Sequence, residues 1–292
     1  MKRVAIAVWL LGSTAGAGLA QPTAPPRGAT IVIVHGAWGG SWAFRRVDAL
    51  LSARGHVVSR VQLTGLGERV HLATAEVGLG THIDDVVNHI LYEELTDVVL
   101  VGHSYGGMVI SGVADRLPDR IRRLVYLDAF LPEDGESVAT LPFGREARAA
   151  WLKSMEKDGY LVPPWLTPGK VPSDAPQPVK TFREPLSLKS AAARRIPGTY
   201  ILTVARAGAE DDFSPHAARA RARGFTVEEM VADHNPQWSA PEELAERLHR
   251  AATAASFNSR AAAALRASPV RAGGTAGPDT DPAPRPPRTP VR

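Results

Sequence analysis

The sequence predicts an α/β fold in which a mostly parallel central sheet is flanked by helices. Two observations support this class: short runs rich in β-branched residues alternate with helix-like stretches, and several of these runs are apolar at nearly every position. Continuous apolarity is typical of strands that are buried on both faces of a parallel sheet. The predicted strands lie at 31–34, 57–61, 98–101, 124–127, 200–203 and 226–230.

The predicted helices fall between these strands, at 42–54, 81–95, 105–117 and 242–255. Pro118 follows the third helix, and proline ends helices because it lacks a backbone N–H and crowds the preceding turn. Before the last helix, a Ser239-x-x-Glu242 pattern with Pro241 is typical of a helix start. Strand and helix therefore alternate over most of the chain, with one interruption.

The interruption is the long segment between 127 and 200, for which no strand is predicted. Its aromatic residues include Trp151, Tyr160, Trp165 and Phe182, which stand among many prolines. Irregular connections of this length are uncommon in compact domains and are usually functional. We predict an inserted helical lid at about 133–195, and the plainer alternative is a peripheral decoration.

The N-terminal end has the pattern of a secretory signal. Basic residues at positions 2 and 3 precede an apolar run at 4–11, and small residues then lead to Ala20. This order is typical of a signal peptide, here 1–20, that is cleaved after Ala20. The apolar run is too short to span a bilayer, so no stable membrane insertion is predicted. We expect an exported protein, periplasmic or secreted, in which 21–28 form a linker.

The C-terminal end at 266–292 is predicted to be a disordered tail, because it is rich in proline and arginine and contains no aromatic residue. This leaves 29–258 as the folded domain. The formal net charge of +4 comes from the two ends, so the domain is near neutral and no nucleic-acid partner is predicted. The absence of cysteine excludes disulfides and thiol nucleophiles. Nothing in the sequence indicates an oligomeric state.

A Gly-x-Ser-x-Gly pattern places Ser104 between a predicted strand and a predicted helix, within Gly102-His103-Ser104-Tyr105-Gly106. A serine on so sharp a turn requires small neighbours, and its hydroxyl is then exposed at the carboxyl edge of the sheet. A match to five residues alone is common. The strand before it and the helix after it make this match specific, so we predict that Ser104 is a nucleophile.

A glycine-rich turn follows the first predicted strand, in the sequence His35-Gly36-Ala37-Trp38-Gly39-Gly40. Sheets of this type supply a backbone donor at this position, so the N–H groups of Ala37 and Tyr105 are the natural pair to stabilise an oxyanion. Gly36 leaves the Ala37 N–H uncovered. The plainer interpretation is a tight turn that requires glycine for its backbone alone.

His234 is predicted as the general base, because it alone among the nine histidines follows the last strand and precedes the last helix. Two places offer an acid that would orient it. Asp128 ends the fourth strand and the acidic run 210–212 follows the fifth, so both reach the same edge of the sheet. Asp128 needs a partner once desolvated, whereas the acidic run also suits the start of a helix. The residues leave both open, and no histidine pair has metal-ligand spacing.

Five segments carry a family resemblance: 35–42 (HGAWGGSW), 63–68 (LTGLGE), 102–107 (GHSYGG), 126–135 (YLDAFLPEDG) and 233–234 (DH). Together they resemble the bacterial esterase branch of the α/β-hydrolase superfamily, which is similar to plant methyl esterases and hydroxynitrile lyases. The resemblance covers about 29–255 and is weakest in the lid. It implies an α/β-hydrolase fold that hydrolyses carboxylic esters without a cofactor.

The resemblance also implies roles for single residues. It gives the nucleophile, the base and the two oxyanion donors the same positions as above: Ser104, His234, Ala37 and Tyr105. For the acid it divides, because plant relatives use the site that matches Asp211, whereas the bacterial branch keeps the Tyr-Leu-Asp pattern that matches Asp128. We favour Asp128 and keep Asp211 as the alternative.

Two departures favour an esterase over a lyase. Hydroxynitrile lyases of this type carry threonine at the position of Gly36 and lysine at the position of Asn235. Members of the superfamily with a carboxylate nucleophile are excluded, because residue 104 is serine.

We therefore predict a serine carboxylesterase for small to medium, apolar or aromatic esters, with no metal and no cofactor. The predicted substrate-binding residues are Gly36, Trp38, His103 and Trp165. A hydroxynitrile-lyase-like enzyme and a ligand-binding protein with little turnover are the alternatives.

Overall fold

The computed structural model describes residues 28–167 and 169–254. Its strands are, in chain order, β1 Thr30–Val34, β2 Val57–Val61, β3 Val98–His103, β4 Ile121–Leu127, β5 Glu156–Lys157, β6 Tyr160–Leu161, β7 Gln177–Pro178, β8 Gly198–Val204 and β9 Thr226–Val231. Its α-helices are α1 Arg45–Ser52, α2 Leu79–Tyr92, α3 Gly106–Arg116, α4 Arg145–Met155, α5 Lys180–Arg183, α6 Ser214–Ala222, α7 Pro236–Ser239 and α8 Pro241–Thr253. Short 3₁₀ helices lie at Ser41–Phe44, Gly67–Leu72, Pro118–Arg120, Val138–Thr140 and Ala193–Arg195.

Six strands form one parallel sheet in the order β2-β1-β3-β4-β8-β9. All six correspond to the predicted strands, so the α/β class is confirmed. Four of the strands, β1, β3, β4 and β8, lie inside the sheet and are buried along almost their whole length. Their sequences are therefore apolar at nearly every position, which is why they could be predicted.

The sheet separates two layers of apolar packing. Successive residues of a strand point to opposite faces, so Ile31 and Ile33 of β1 pack with α1 and α8 on one face. Val32 and Val34 pack with α2 and α3 on the other face. Burial of each such side chain contributes about 1.5–3 kcal/mol to folding. The layers hold the sheet rigidly, and the carboxyl ends of the parallel strands come together at one edge.

The predicted helices all occur, with small shifts at their ends. The helix predicted at 42–54 begins as a 3₁₀ turn and becomes α-helical at Arg45. The helix predicted from 81 begins at Leu79, where the Thr81 side chain accepts a hydrogen bond from the Gly78 N–H. The third helix stops at Arg116, and Pro118 opens a separate 3₁₀ turn.

The segment between β4 and β8 contains both helices and strands. Besides α4 and α5 it holds the antiparallel sheet β5-β6-β7, for which the sequence predicted no strand. Each of these strands has two residues, which is too short for any periodicity to mark it. We call the part of this segment at 133–195 the inserted segment.

Two predictions concern residues that the structure does not describe. The signal peptide at 1–20 and the C-terminal tail at 266–292 lie outside the described residues, as does most of the linker. Among the residues that are described, no helix has the length and apolarity needed to cross a membrane.

Candidate active site

Ser104 lies on a sharp turn between β3 and α3. Its φ of +54° is in the left-handed region, which residues other than glycine seldom adopt. The neighbouring glycines make this turn possible: a Cβ at Gly102 would lie 2.6 Å from the Gly106 carbonyl oxygen, and one at Gly106 would lie 2.7 Å from the Val34 carbonyl oxygen. The strained turn predicted from the Gly-x-Ser-x-Gly pattern is therefore present.

His234 lies between Ser104 and Asp128. Its Nε2 is 3.0 Å from Ser104 Oγ, and its Nδ1 is 2.6 Å from Asp128 Oδ2. A carboxylate can only accept, so His234 donates its Nδ1–H to Asp128, and the Nε2 lone pair then faces the serine hydroxyl. This is the arrangement needed for transfer of the serine proton to the imidazole.

Asp128 is held in place by hydrogen bonds to the neighbouring strand β8. It is fully buried, its backbone N–H donates to the Ile201 carbonyl at 2.7 Å, and its second carboxylate oxygen accepts the Thr203 N–H at 3.0 Å. Both residues belong to β8. A buried carboxylate is costly unless hydrogen bonds satisfy it, and here β8 and His234 together supply them.

Asp211 lies near the same site but does not contact the imidazole. Its carboxylate accepts the Phe213 N–H at 3.0 Å at the start of α6, and no hydrogen bond joins it to His234 in the described part of the chain. Burial, followed by the charges of Asp128 and Asp212, raises the pKa of the Asp211 carboxyl. Of the two candidate acids, Asp128 is thus the one in contact with the histidine.

The two predicted oxyanion donors flank the serine. Tyr105 caps the N-terminal end of α3, and Ala37 lies on the turn after β1. Among the described residues, neither backbone N–H has a hydrogen-bond acceptor. The turn runs close to the nucleophile, because a Cβ at Gly36 would lie 3.1 Å from Ser104 Cβ and 2.9 Å from His103 Nδ1.

His35 holds this turn from below. It donates its Nδ1–H to the Gly36 carbonyl at 2.8 Å, and its Nε2 accepts the Leu63 N–H at 3.3 Å. Burial lowers the pKa of His35 to about 4, so the ring is neutral near pH 7 and keeps one donor and one acceptor. Sequence analysis assigned His35 no role, and its position directly before Gly36 was the signal that could have indicated one.

His103 and Phe213 enclose the ring of His234. His103 is buried and donates its Nε2–H to the His234 carbonyl at 2.8 Å, with the two ring centroids 4.9 Å apart. Burial lowers the pKa of His103 to about 3, so it stays neutral. On the other side the Phe213 ring stacks on His234 at 5.0 Å. This stacking joins residues from separate elements, so no local sequence pattern indicates it.

A cavity of about 950 Å³ opens above the serine. This is near the upper end of the usual range for small-molecule sites. Its wall is largely aromatic and includes Trp38, Phe130, Phe143, Trp151, Trp165, Phe182, Phe213 and Trp238. The charged residues on the wall are Arg148, Asp174, Asp211 and Asp212, and the guanidinium of Arg148 donates to the carbonyls of Leu141 and Phe143.

The four predicted substrate-binding residues all line this cavity. Gly36 and His103 lie at its floor beside the serine. Trp165 is half-exposed, and its Nε1–H donates to Asp174 at 2.8 Å. Trp38 is buried, and its ring contacts those of Trp151, Trp165 and Phe182 at 5.4–5.7 Å between centroids. In the described ranges, no three histidine, aspartate or glutamate side chains converge as a metal site would require.

The family described as "Alpha/beta hydrolase family" matches residues 31–247, and the chain belongs to this family. More narrowly, it is similar to a "Carbendazim hydrolyzing esterase" from Nocardioides sp. (strain SG-4G). The two are 38% identical over 248 residues, which cover 75% of this chain and 98% of the relative. "Methylesterase 2" from Arabidopsis thaliana is 32% identical over 132 residues, or 44% of this chain and 48% of the plant protein.

A solved structure has the same fold. It is an extracellular alpha/beta-hydrolase from a Paenibacillus species, described as sharing structural and functional homology with tobacco salicylic acid binding protein 2. It has a TM-score of 0.65 and 27% identity, and it covers 77% of this chain and 99% of its own. The predicted superfamily, with its bacterial esterases and plant methyl esterases, is confirmed. Relatives named as esterases and hydrolases agree with the predicted class of enzyme, a carboxylic ester hydrolase.

Proposed function

We propose that the protein is a serine carboxylesterase that acts through a Ser-His-Asp acyl-enzyme mechanism on small to medium, apolar or aromatic esters. The observation that carries the proposal is the unbroken hydrogen-bonded series from Ser104 Oγ through His234 to Asp128, at 3.0 and 2.6 Å. The esterase names of its relatives support the same chemistry.

Acylation begins when Ser104 Oγ attacks the ester carbonyl and His234 Nε2 takes the hydroxyl proton. The Asp128 carboxylate stabilises the imidazolium that forms, and it keeps the neutral ring in the tautomer that accepts at Nε2. The N–H groups of Ala37 and Tyr105 stabilise the negative charge that develops on the carbonyl oxygen. His234 then gives its proton to the departing alcohol, which leaves Ser104 acylated.

Deacylation repeats these steps with water in place of the alcohol. His234 removes a proton from water, the resulting hydroxide attacks the acyl carbonyl, and the same two N–H groups hold the second oxyanion. The proton then passes from His234 to Ser104 Oγ as the C–O bond breaks. The carboxylic acid is released and the serine hydroxyl is restored.

The cavity supports the substrate class. Its aromatic wall suits an apolar or aromatic group, and about 950 Å³ accommodates a substrate larger than a short-chain ester. The lyase alternative is less well supported, because Asn235 follows the histidine and bonds to Gln237, where lyases of this type carry lysine. At Gly36, a threonine side chain would also start 3.1 Å from Ser104 Cβ.

A substitution of the nucleophile tests the proposal. Ser104→Ala is expected to abolish turnover of p-nitrophenyl esters and covalent labelling by a fluorophosphonate, followed by mass spectrometry. Circular dichroism would confirm that the variant is folded. A folded Ser104→Ala variant that keeps its esterase activity would contradict the mechanism. A wild-type protein that never labels would instead favour a ligand-binding role.

We also propose that the protein is exported, as the N-terminal pattern predicts. The full chain with a C-terminal epitope tag is expected in the periplasmic or culture fraction of a bacterial host, with a mature N-terminus at Gln21. Recovery of uncleaved chain from the cytoplasmic fraction alone would contradict export.

A further inference from the structure

One buried glutamine of the inserted segment reaches the turn that carries the oxyanion donor. Gln177, on β7, accepts the backbone N–H of Trp38 at 2.7 Å through its Oε1. This N–H belongs to the peptide unit directly after Ala37. We propose that Gln177 is a positioning residue for the oxyanion hole: by fixing this peptide unit, it fixes the direction in which the Ala37 N–H points. The inference rests on the proposed function.

The turn needs such a restraint because Trp38 has an unfavourable backbone conformation. Its φ is +59°, in the left-handed region that a bulky residue rarely adopts. A strained residue persists only where its surroundings determine its conformation. For Trp38 these surroundings are in the inserted segment: besides Gln177, its carbonyl accepts the Ala175 N–H at 2.8 Å and its Nε1–H donates to the Leu161 carbonyl at 3.2 Å.

Gln177 is itself held in a single orientation. Its Nε2–H donates to Thr181 Oγ1 at 2.9 Å, and the Thr181 hydroxyl donates to the Pro178 carbonyl at 2.7 Å. The hydroxyl proton is thus used, so Thr181 accepts from the amide nitrogen and the amide oxygen faces Trp38. Gln177 is 0% exposed, so its Oε1 accepts the Trp38 N–H out of contact with bulk solvent, and leaving this N–H without an acceptor is costly.

The same part of the inserted segment also reaches the second donor. Phe182, on α5, stacks on the Tyr105 ring with centroids 5.4 Å apart and 12° between the ring planes. Phe182 also contacts the Trp38 ring, at 5.7 Å between centroids. Gln177 therefore contacts Trp38, the residue after the first donor Ala37. Phe182 contacts both Trp38 and the second donor, Tyr105. The inserted segment thus positions the residues of the oxyanion hole and also forms part of the cavity wall.

Gln177→Met tests this role, because methionine has a similar shape but cannot accept the Trp38 N–H. We expect kcat for a p-nitrophenyl ester to fall by about tenfold or more, short of the roughly 10²–10³-fold cost of losing a whole oxyanion donor. The KM is expected to stay within about twofold, because a transition-state interaction is lost and not a ground-state one. Gln177→Glu, as a buried protonated carboxyl, keeps an acceptor for the Trp38 N–H and a donor to Thr181 Oγ1, so it is expected to recover most of kcat.

An inhibitor pair separates positioning from pocket shape. Ser104 Oγ adds to the carbonyl carbon of a trifluoromethyl ketone and forms a tetrahedral oxyanion. The inhibition constant of this ketone is therefore expected to rise by the same factor as kcat/KM falls. The matching carboxamide stays trigonal and is expected to bind Gln177→Met and wild type equally. Unchanged kcat in folded Gln177→Met, or a raised KM at constant kcat, would overturn the proposal.

Two further variants complete the design. If Gln177→Met does not fold, Gln177→Asn keeps the amide but is one methylene too short, and unchanged kcat in that folded variant would also overturn the proposal. Ser104→Ala is assayed in parallel. An inactive Ser104→Ala beside a fully active Gln177→Met contradicts only the positioning role, whereas an active Ser104→Ala contradicts the esterase mechanism itself.

Discussion

The carboxyl edge of the central sheet and the inserted segment contribute to the candidate site in different ways. The edge supplies Ser104, Asp128 and His234 from the ends of β3, β4 and β9, whose spacing is fixed by the parallel ladders. The inserted segment supplies aromatic surface and single hydrogen bonds, such as that from Trp38 to Gln177. The candidate catalytic side chains thus come from the edge of the sheet, and the inserted segment forms part of the cavity wall.

The sharpest test of this division is the choice of acid at the sheet edge. Asp128→Asn is expected to lower kcat by about 10⁴-fold, as in the serine-protease triad, because the His234 tautomer is no longer enforced. Asp211→Asn is the matched control and is expected to have a small effect, since Asp211 bonds to Phe213 and not to His234. Steady-state kinetics on a short-chain p-nitrophenyl ester measures both, and equal losses would refute the assignment of Asp128.

A second test adds one carbon to the turn beside the nucleophile. Gly36→Ala places its Cβ 3.1 Å from Ser104 Cβ and 2.9 Å from His103 Nδ1, so the turn must shift and the Ala37 N–H with it. We expect kcat to fall toward the roughly 10²–10³-fold cost of losing an oxyanion donor. Gly39→Ala, in the same turn, meets its neighbours at 3.7 Å or more and is expected to be near wild type. Similar kinetics for the two variants would show that the turn is not under this constraint.

A third test uses acid. His35, His82, His103 and His216 are buried, and burial lowers the pKa of each to about 4, 4, 3 and 4, respectively. The unfolded chain therefore binds more protons than the folded one, so the free energy of unfolding is expected to decrease as pH falls from about 6.5 toward 4. Each histidine contributes about 1.4 kcal/mol per pH unit to this slope.

Urea unfolding at several pH values measures that slope. His216→Gln removes one of the four groups without touching the nucleophile turn, so a shallower slope is expected. The inserted segment contains no histidine, so this acid sensitivity is a property of the rest of the domain. An unchanged slope in the variant would contradict the contribution of His216.

The smallest effect is expected at the rim of the cavity. Trp165 is 51% exposed, and its ring contacts Trp38 and donates a hydrogen bond to Asp174. Trp165→Ala is expected to raise KM for aromatic esters a few-fold, in line with about 0.5–1.5 kcal/mol for an aromatic pair, and to leave kcat unchanged. An acetate ester serves as the control substrate. A loss of kcat with both esters would mean that the rim also acts on the reaction.

The sequence was sufficient for the sheet, and it singled out Ser104 and His234, two of the three side chains that the hydrogen-bonded series at the sheet edge joins. Buried parallel strands are marked by continuous apolarity, and Ser104 and His234 each have a local pattern at a strand end. Local sequence patterns do not distinguish Asp128 from Asp211 as the partner of His234, because both residues follow strands that end at the same edge of the sheet. The choice depends on the Asp128 backbone, which bonds to Ile201 and has a φ of +41° that turns the side chain toward His234.

The contributions of the inserted segment could not be predicted in the same way. Trp38 and Gln177 are 139 positions apart, and no periodicity in β7 or α5 marks a glutamine that will face a backbone N–H. The Phe213 ring over His234 is a similar case, since it joins the turn before α6 to the loop after β9. Such contacts arise from tertiary packing, which local sequence patterns do not encode.

Two adjacent residues at the end of β4 contact different parts of the candidate site. The Leu127 carbonyl accepts the Ser104 N–H at 3.1 Å, and the next residue, Asp128, bonds to His234. Under the proposed mechanism, the loop at 205–213 after β8 does not supply the acid. For protein engineering, this makes that loop a natural place to introduce diversity: libraries at 210–212 would change the cavity wall at Asp211 and Asp212 and leave Ser104, His234 and Asp128 as they are.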